Sequence, residues 1–112
     1  MKYLLMICVD PSEEIEVPPD TDGAGIEAWL AETERRKVRL DGSQLRPTSE
    51  AVTVRVRDEG TLLTDGPFAE TKEQMAGFDI LECASMDEAV EIAALHPVAK
   101  FGMVEVRQFW QD

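Results

Sequence analysis

The sequence predicts a single α+β domain with two helices on one face of an antiparallel sheet. Three observations predict it. Apolar runs rich in β-branched residues alternate with two segments of helical period, a strictly alternating Val-x-Val-x-Val stretch lies between them, and 112 residues give room for one modest core. Composition agrees, since 44% hydrophobic and 30% charged residues are globular proportions.

Residues 2–9, KYLLMICV, read as the first strand, and Asp10-Pro11-Ser12 ends it. The turn-rich PPDTDG follows. From residue 25 to 37, Ile26, Trp29, Leu30 and Thr33 recur at helical spacing, while Glu27, Glu32, Glu34, Arg35 and Arg36 lie largely elsewhere. This amphipathic helix needs a sheet to cover. VRLDGSQLRP is a short extended arm interrupted at Gly42 and stopped by Pro47. Val52, Val54 and Val56 then alternate with Thr53, Arg55 and Arg57, Asp58-Glu59-Gly60 turns, and Thr61 to Thr64 return, a hairpin with one apolar and one polar face. GFDILEC is a further strand. Ser85 and Glu88 form the Ser-x-x-Glu signature that opens a second helix, whose body is Ala89, Val90, Ile92, Ala93 and Leu95 and whose end is His96-Pro97. MVEVRQFW closes the chain as a strand, with Glu105 and Arg107 opposite in phase to Val104 and Val106.

With the hairpin set aside, the order is βαββαβ, the ferredoxin-like arrangement. Two helices cover one face of such a sheet. The first strand, however, is apolar in both phases, with Tyr3, Leu5 and Ile7 on one side and Leu4, Met6 and Cys8 on the other. Cover on both sides is therefore expected, and a homodimer with facing sheets supplies it.

A net charge of −12 disfavours nucleic acid and anionic membrane as partners, because the 11 basic residues are not gathered on one face. The apolar run from Tyr3 to Val9 is too short to span a bilayer. Cys8 and Cys83 both fall in apolar segments and are expected to be free, buried thiols of a reducing, cytoplasmic compartment. One histidine among scattered carboxylates predicts no metal site, and without a Gly-rich phosphate loop, nucleophile elbow or dinucleotide fingerprint no cofactor is expected.

The densest chemistry lies at residues 65–73, DGPFAETKE. Asp65 can orient the Asp-Gly-Pro corner or act as a base, and Phe68 can anchor it. Glu70 and Glu73 stand three apart with Lys72 between them, a spacing that lets two carboxylates and an ammonium serve as acid and base or hold a small polar molecule. The same charges also suit a solvated, mutually paired turn. Arg55 and Arg57 share the polar face of the hairpin and can hold an anion or pair with some of the 23 acidic groups. His96 is the single side chain whose ordinary pKa lies near neutrality, a candidate general base beside Asp65 or Glu73, or else a cation meeting the dipole at a helix end. Trp29 and Trp110 can line a pocket or pack in the core and at an edge.

TDGPFAETKEQMAGF, residues 64–78, resembles the signature of the DGPF-domain family within the YCII-related proteins. MKYLLMI, TVRVRDEGTLLTDGPF, MDEAVEIAALHP and VEVRQFW resemble that family at the expected positions, so the likeness covers nearly the whole chain as one domain, residues 1–112. The resemblance implies a small dimeric α/β barrel and no particular reaction. It also implies, for the wider group, an acid–base pair made of a histidine on the first helix and an aspartate before a proline after the second. This chain departs twice: residues 25–37 hold no histidine, and His96 precedes Pro97. Two expectations stay open, a ligand-binding or acid–base cleft beside the motif and a non-catalytic dimeric module in which the motif is structural.

Overall fold

The structure, a computed structural model, describes residues 1–10, 23–66 and 73–110. Phe68, Glu70 and Lys72 of the DGPF stretch lie outside the described residues, as does the loop from Pro11. The elements follow as β1 (Lys2–Val9), α1 (Gly23–Arg35), β2 (Arg39–Gln44), β3 (Val52–Arg57), β4 (Gly60–Asp65), β5 (Gln74–Glu82), α2 (Met86–Ala94) and β6 (Met103–Gln108). Four strands form an antiparallel sheet in the order β2-β5-β1-β6, while β3 and β4 pair with each other as a separate hairpin. The two βαβ units are interleaved, with β1 and β5 side by side in the centre. This is the ferredoxin-like α+β fold with an inserted hairpin.

Register explains which face is core. Tyr3 stands opposite Leu81, Leu5 opposite Asp79 and Ile7 opposite Gly77, and cross-strand partners share a face. Tyr3, Leu5 and Leu81 are buried under the helices with Trp29, Ala89, Ile92 and Ala93. The small Ala89 and Ala93 let α2 sit close, and the Trp29 indole N–H donates to the Ile92 carbonyl at 3.0 Å, tying α1 to α2. In the opposite phase, Leu4, Met6, Phe78 and Ile80 are only half-buried on the face without helices.

The element ends follow from local chemistry. At α2 the Ser85 hydroxyl accepts from the Glu88 N–H at 3.2 Å, and the Glu88 carboxylate reaches back to the Ala84 N–H at 3.4 Å. The exit from α1 is a Schellman turn: Lys37 sits at φ 56, its N–H bonds the Glu34 carbonyl, and the N–H of buried Val38 bonds the Thr33 carbonyl. At the hairpin tip, Arg57 pairs with Gly60 around Asp58 and Glu59. Gly60 there takes φ 113, which suits a residue without Cβ.

The hairpin gives the chain an outstretched shape. Its radius of gyration is 16.0 Å, against about 13 Å for a compact chain of this length.

Candidate functional site: a cavity over Asp79, Arg39 and His96

Two glycines prepare the site. Gly77 replaces a side chain on the helix-facing side of β5, and Gly42 lies beside Asp79 on the neighbouring β2. A Cβ at Gly42 would meet the Asp79 carboxylate at 2.1 Å, the Arg39 guanidinium at 2.6 Å and the Phe78 carbonyl at 2.7 Å. Glycine at 42 is therefore what lets an ion pair fit between the strands, with Arg39 Nε 2.8 Å from Asp79 Oδ1. Between this floor and α1 lies a cavity of about 430 Å³, walled by Ile7, Ile26, Trp29, Leu30 and Phe101 and bearing Arg39, Asp79 and His96 as its ionisable groups.

Each of these groups has a state set by its surroundings. Asp79 is 6% exposed; burial raises its pKa above the ordinary carboxylate value, and the Arg39 hydrogen bond and charge only partly offset that. His96 is 4% exposed, and burial lowers its pKa to about 4. The imidazole is therefore neutral at pH 7, and a charged His96 meeting a helix dipole is not the arrangement found. Instead it caps the 3-10 turn Pro97–Lys100, its Nδ1 accepting from the Val98 N–H at 3.0 Å. The proton of the neutral ring then sits on Nε2, which makes His96 a hydrogen-bond donor rather than a base. Its ring meets Trp29 edge to face at 4.8 Å.

Of the residues singled out in the sequence, His96 lies in this cavity. Asp65 is exposed at the end of β4, where the corner latches the hairpin: the Gly66 N–H donates to the Ala51 carbonyl and the Thr53 hydroxyl to the Gly66 carbonyl. Gly66 adopts φ 96, which suits a residue without Cβ. Glu73 is exposed just ahead of β5, three residues before Ala76 enters the cavity wall. Arg55 is half-buried and Arg57 exposed on the hairpin.

Arg39 and Asp79 were missed in the sequence. The available signal was an acidic residue in the same phase as Leu81 and Gly77, a charge in the core-facing register of a strand. Cys8 and Cys83 are free; burial pushes both thiols up, Cys83 to about 11, so neither is a thiolate near neutrality. Among the described residues no three His, Cys, Asp or Glu side chains converge as metal ligands, and no helix is long and apolar enough to cross a membrane.

A solved structure shares the fold at a TM-score of 0.52 and 19% identity, covering 100% of this chain and 96% of the other: a 5-chloro-2-hydroxyhydroquinone dehydrochlorinase from Burkholderia phenoliruptrix AC1100, in complex with 2,5-dihydroxybenzoquinone. An uncharacterized protein of Rhizobium meliloti (strain 1021) is 51% identical over 51 residues, 46% of this chain and 41% of that protein. The chain thus matches less than half the length of that relative. The model of the YCII-related domain matches residues 1–111, and on that extent the chain belongs to the YCII-related family.

Proposed function

We infer that the cavity over Arg39, Asp79 and His96 binds a small, largely apolar molecule carrying an acidic hydroxyl or carbonyl, and acts on it by acid–base chemistry. The observation that carries this reading is a buried carboxylate, Asp79, paired with the half-buried Arg39 and opening into an apolar chamber. Asp79, its pKa raised, is suited to take a proton. Arg39 is placed to stabilise the oxyanion left behind, and His96 to donate a hydrogen bond to it. Apolar walls and few polar groups are the usual make-up of a small-molecule site. The hydroxylated quinone bound by the Burkholderia structure is a molecule of the class that fits this description.

The test is calorimetric titration with 2,5-dihydroxybenzoquinone and simple phenols. Arg39→Met and Asp79→Asn are expected to weaken binding at least tenfold, while Asp65→Asn and Lys72→Ala leave it unchanged. The opposite pattern would move the site to the DGPF charges.

A second reading has its own support. The hydrogen bonds that close the hairpin at Gly66 favour a structural role for the start of the motif, and ferredoxin-like dimers include plain scaffolds. In either reading the working form is a cytoplasmic homodimer with facing sheets. The half-buried Leu4, Met6, Phe78 and Ile80 on the helix-free face support the dimer, and two free cysteines support the compartment.

A further inference from the structure

The Arg39–Asp79 pair is joined by a single hydrogen bond, and most of its bonding capacity is left over. Arg39 Nε donates to Asp79 Oδ1 at 2.8 Å, and among the described residues neither side chain makes another hydrogen bond. A guanidinium carries five N–H donors and a carboxylate two accepting oxygens. Arg39 Nη1 and Nη2 and Asp79 Oδ2 are therefore unused. None of the three is sealed in, since among the described residues the buried side-chain polar atom without a partner is Gln74 Oε1. Both residues line the cavity, so these atoms are offered to whatever fills it.

Gly42 fixes how they are offered. A Cβ there would stand 2.1 Å from Asp79 Oδ1 and 2.6 Å from Arg39 Nη2, so a carboxylate oxygen and a terminal guanidinium nitrogen lie side by side over one backbone point. Acceptor and donors are presented together on the cavity floor rather than spread around its walls. A ligand with one isolated hydroxyl satisfies Oδ2 and at most one of the nitrogens, and the other is left unpaired once the ligand excludes water. A hydroxyl with a second oxygen on the neighbouring carbon satisfies all three atoms. Its proton faces Oδ2, and the two oxygens lie across the guanidinium fork much as those of a carboxylate do. A carboxylate itself brings no proton for Oδ2 and sets a second negative charge beside Asp79 in apolar surroundings.

We propose that the cavity selects molecules with two oxygens on adjacent carbons of a small apolar frame, at least one of them a hydroxyl, and that Arg39 is the residue that reads their spacing. This rests on the acid–base reading of the cavity and narrows its ligands. In the proton transfer the ligand O–H bond breaks, the proton passes to Asp79 Oδ2, and the electron pair stays on the oxygen facing Arg39. No oxidant or second reactant enters.

The experiment is calorimetric titration of the full-length protein, under argon, with catechol, resorcinol and hydroquinone, isomers that differ only in where the second hydroxyl sits, and with benzoate. Catechol is expected to bind at least about tenfold more tightly than each of the others. Arg39→Lys keeps a cation beside Asp79 but has no fork, and is expected to bring that ratio below about threefold, with circular dichroism verifying the fold. The isomer ranking is read on the parent and needs no variant to fold. No binding by catechol, equal binding of the isomers, benzoate matching catechol, or a ratio unmoved in folded Arg39→Lys would each overturn the proposal. If the isomers bind equally while Arg39→Met and Asp79→Asn weaken all of them, the acid–base cavity stands and the selection of adjacent oxygens falls. If neither variant changes the binding of any isomer, the cavity reading falls and takes the selection with it.

Discussion

At the scale of the residue, His96 ties stability to pH with a definite sign. Its folded pKa of about 4 lies below the ordinary value of 6.5, so between those values the unfolded chain binds more protons than the folded one. Stability from this group is full above pH 6.5 and falls as pH drops toward 4, by at most about 3 kcal/mol. Asp79 has the opposite slope, because its raised pKa favours the folded state as pH falls. Urea midpoints are expected to fall for the parent as pH drops from 6.5 to 4, and to vary less in His96→Asn, whose amide oxygen can still accept from Val98. Gly42→Ala is the sharpest single-atom test of the site's architecture. The added methyl collides with the Asp79 carboxylate, the Arg39 guanidinium and a strand carbonyl, and a loss of about 1–3 kcal/mol in denaturant unfolding is expected.

At the scale of the element, the caps carry the predictions. Lys37 holds the left-handed position of the Schellman turn, where a Cβ is unfavourable. Lys37→Gly is therefore expected to stabilise the protein by up to about 1 kcal/mol in thermal unfolding. Ser85→Ala, which leaves the Glu88 N–H without its acceptor, is expected to cost about 1 kcal/mol. Elements were legible wherever a local rule fixes them. Ser85-x-x-Glu88 announced α2, the Val52/Val54/Val56 alternation announced β3, and the period of Ile26, Trp29, Leu30 and Thr33 announced the buried stripe of α1. The end of α1 was less legible, since its last turn uses a lysine where sequence rules look for glycine. The helix was read to residue 37, and it closes at Arg35.

At the scale of the whole molecule, order of elements sufficed for the fold, because βαββαβ has few ways to bury two helices against one sheet. The cavity was not legible in the same way. Arg39 and Asp79 lie 40 positions apart and meet only through the β2–β5 register. In sequence each looks like an ordinary surface charge, whereas the nine residues of DGPFAETKE concentrate their charges locally and drew the reading to themselves. Of the residues the sequence singled out elsewhere, His96 and Trp29 lie at the cavity, His96 through its cap on the turn after α2. At this scale the prediction concerns assembly. Met6→Lys puts an ammonium on the helix-free face and is expected to convert a dimer into a monomer of unchanged helix content, read by sedimentation velocity.

The two indoles stand at opposite extremes, Trp29 at 3% exposure in the cavity wall against His96 and Trp110 at 92%. Light emitted by the chain thus comes from one shielded source and one wet source. A water-borne quencher such as acrylamide silences Trp110 selectively, and the remaining blue-shifted signal becomes a label-free gauge of what enters the chamber.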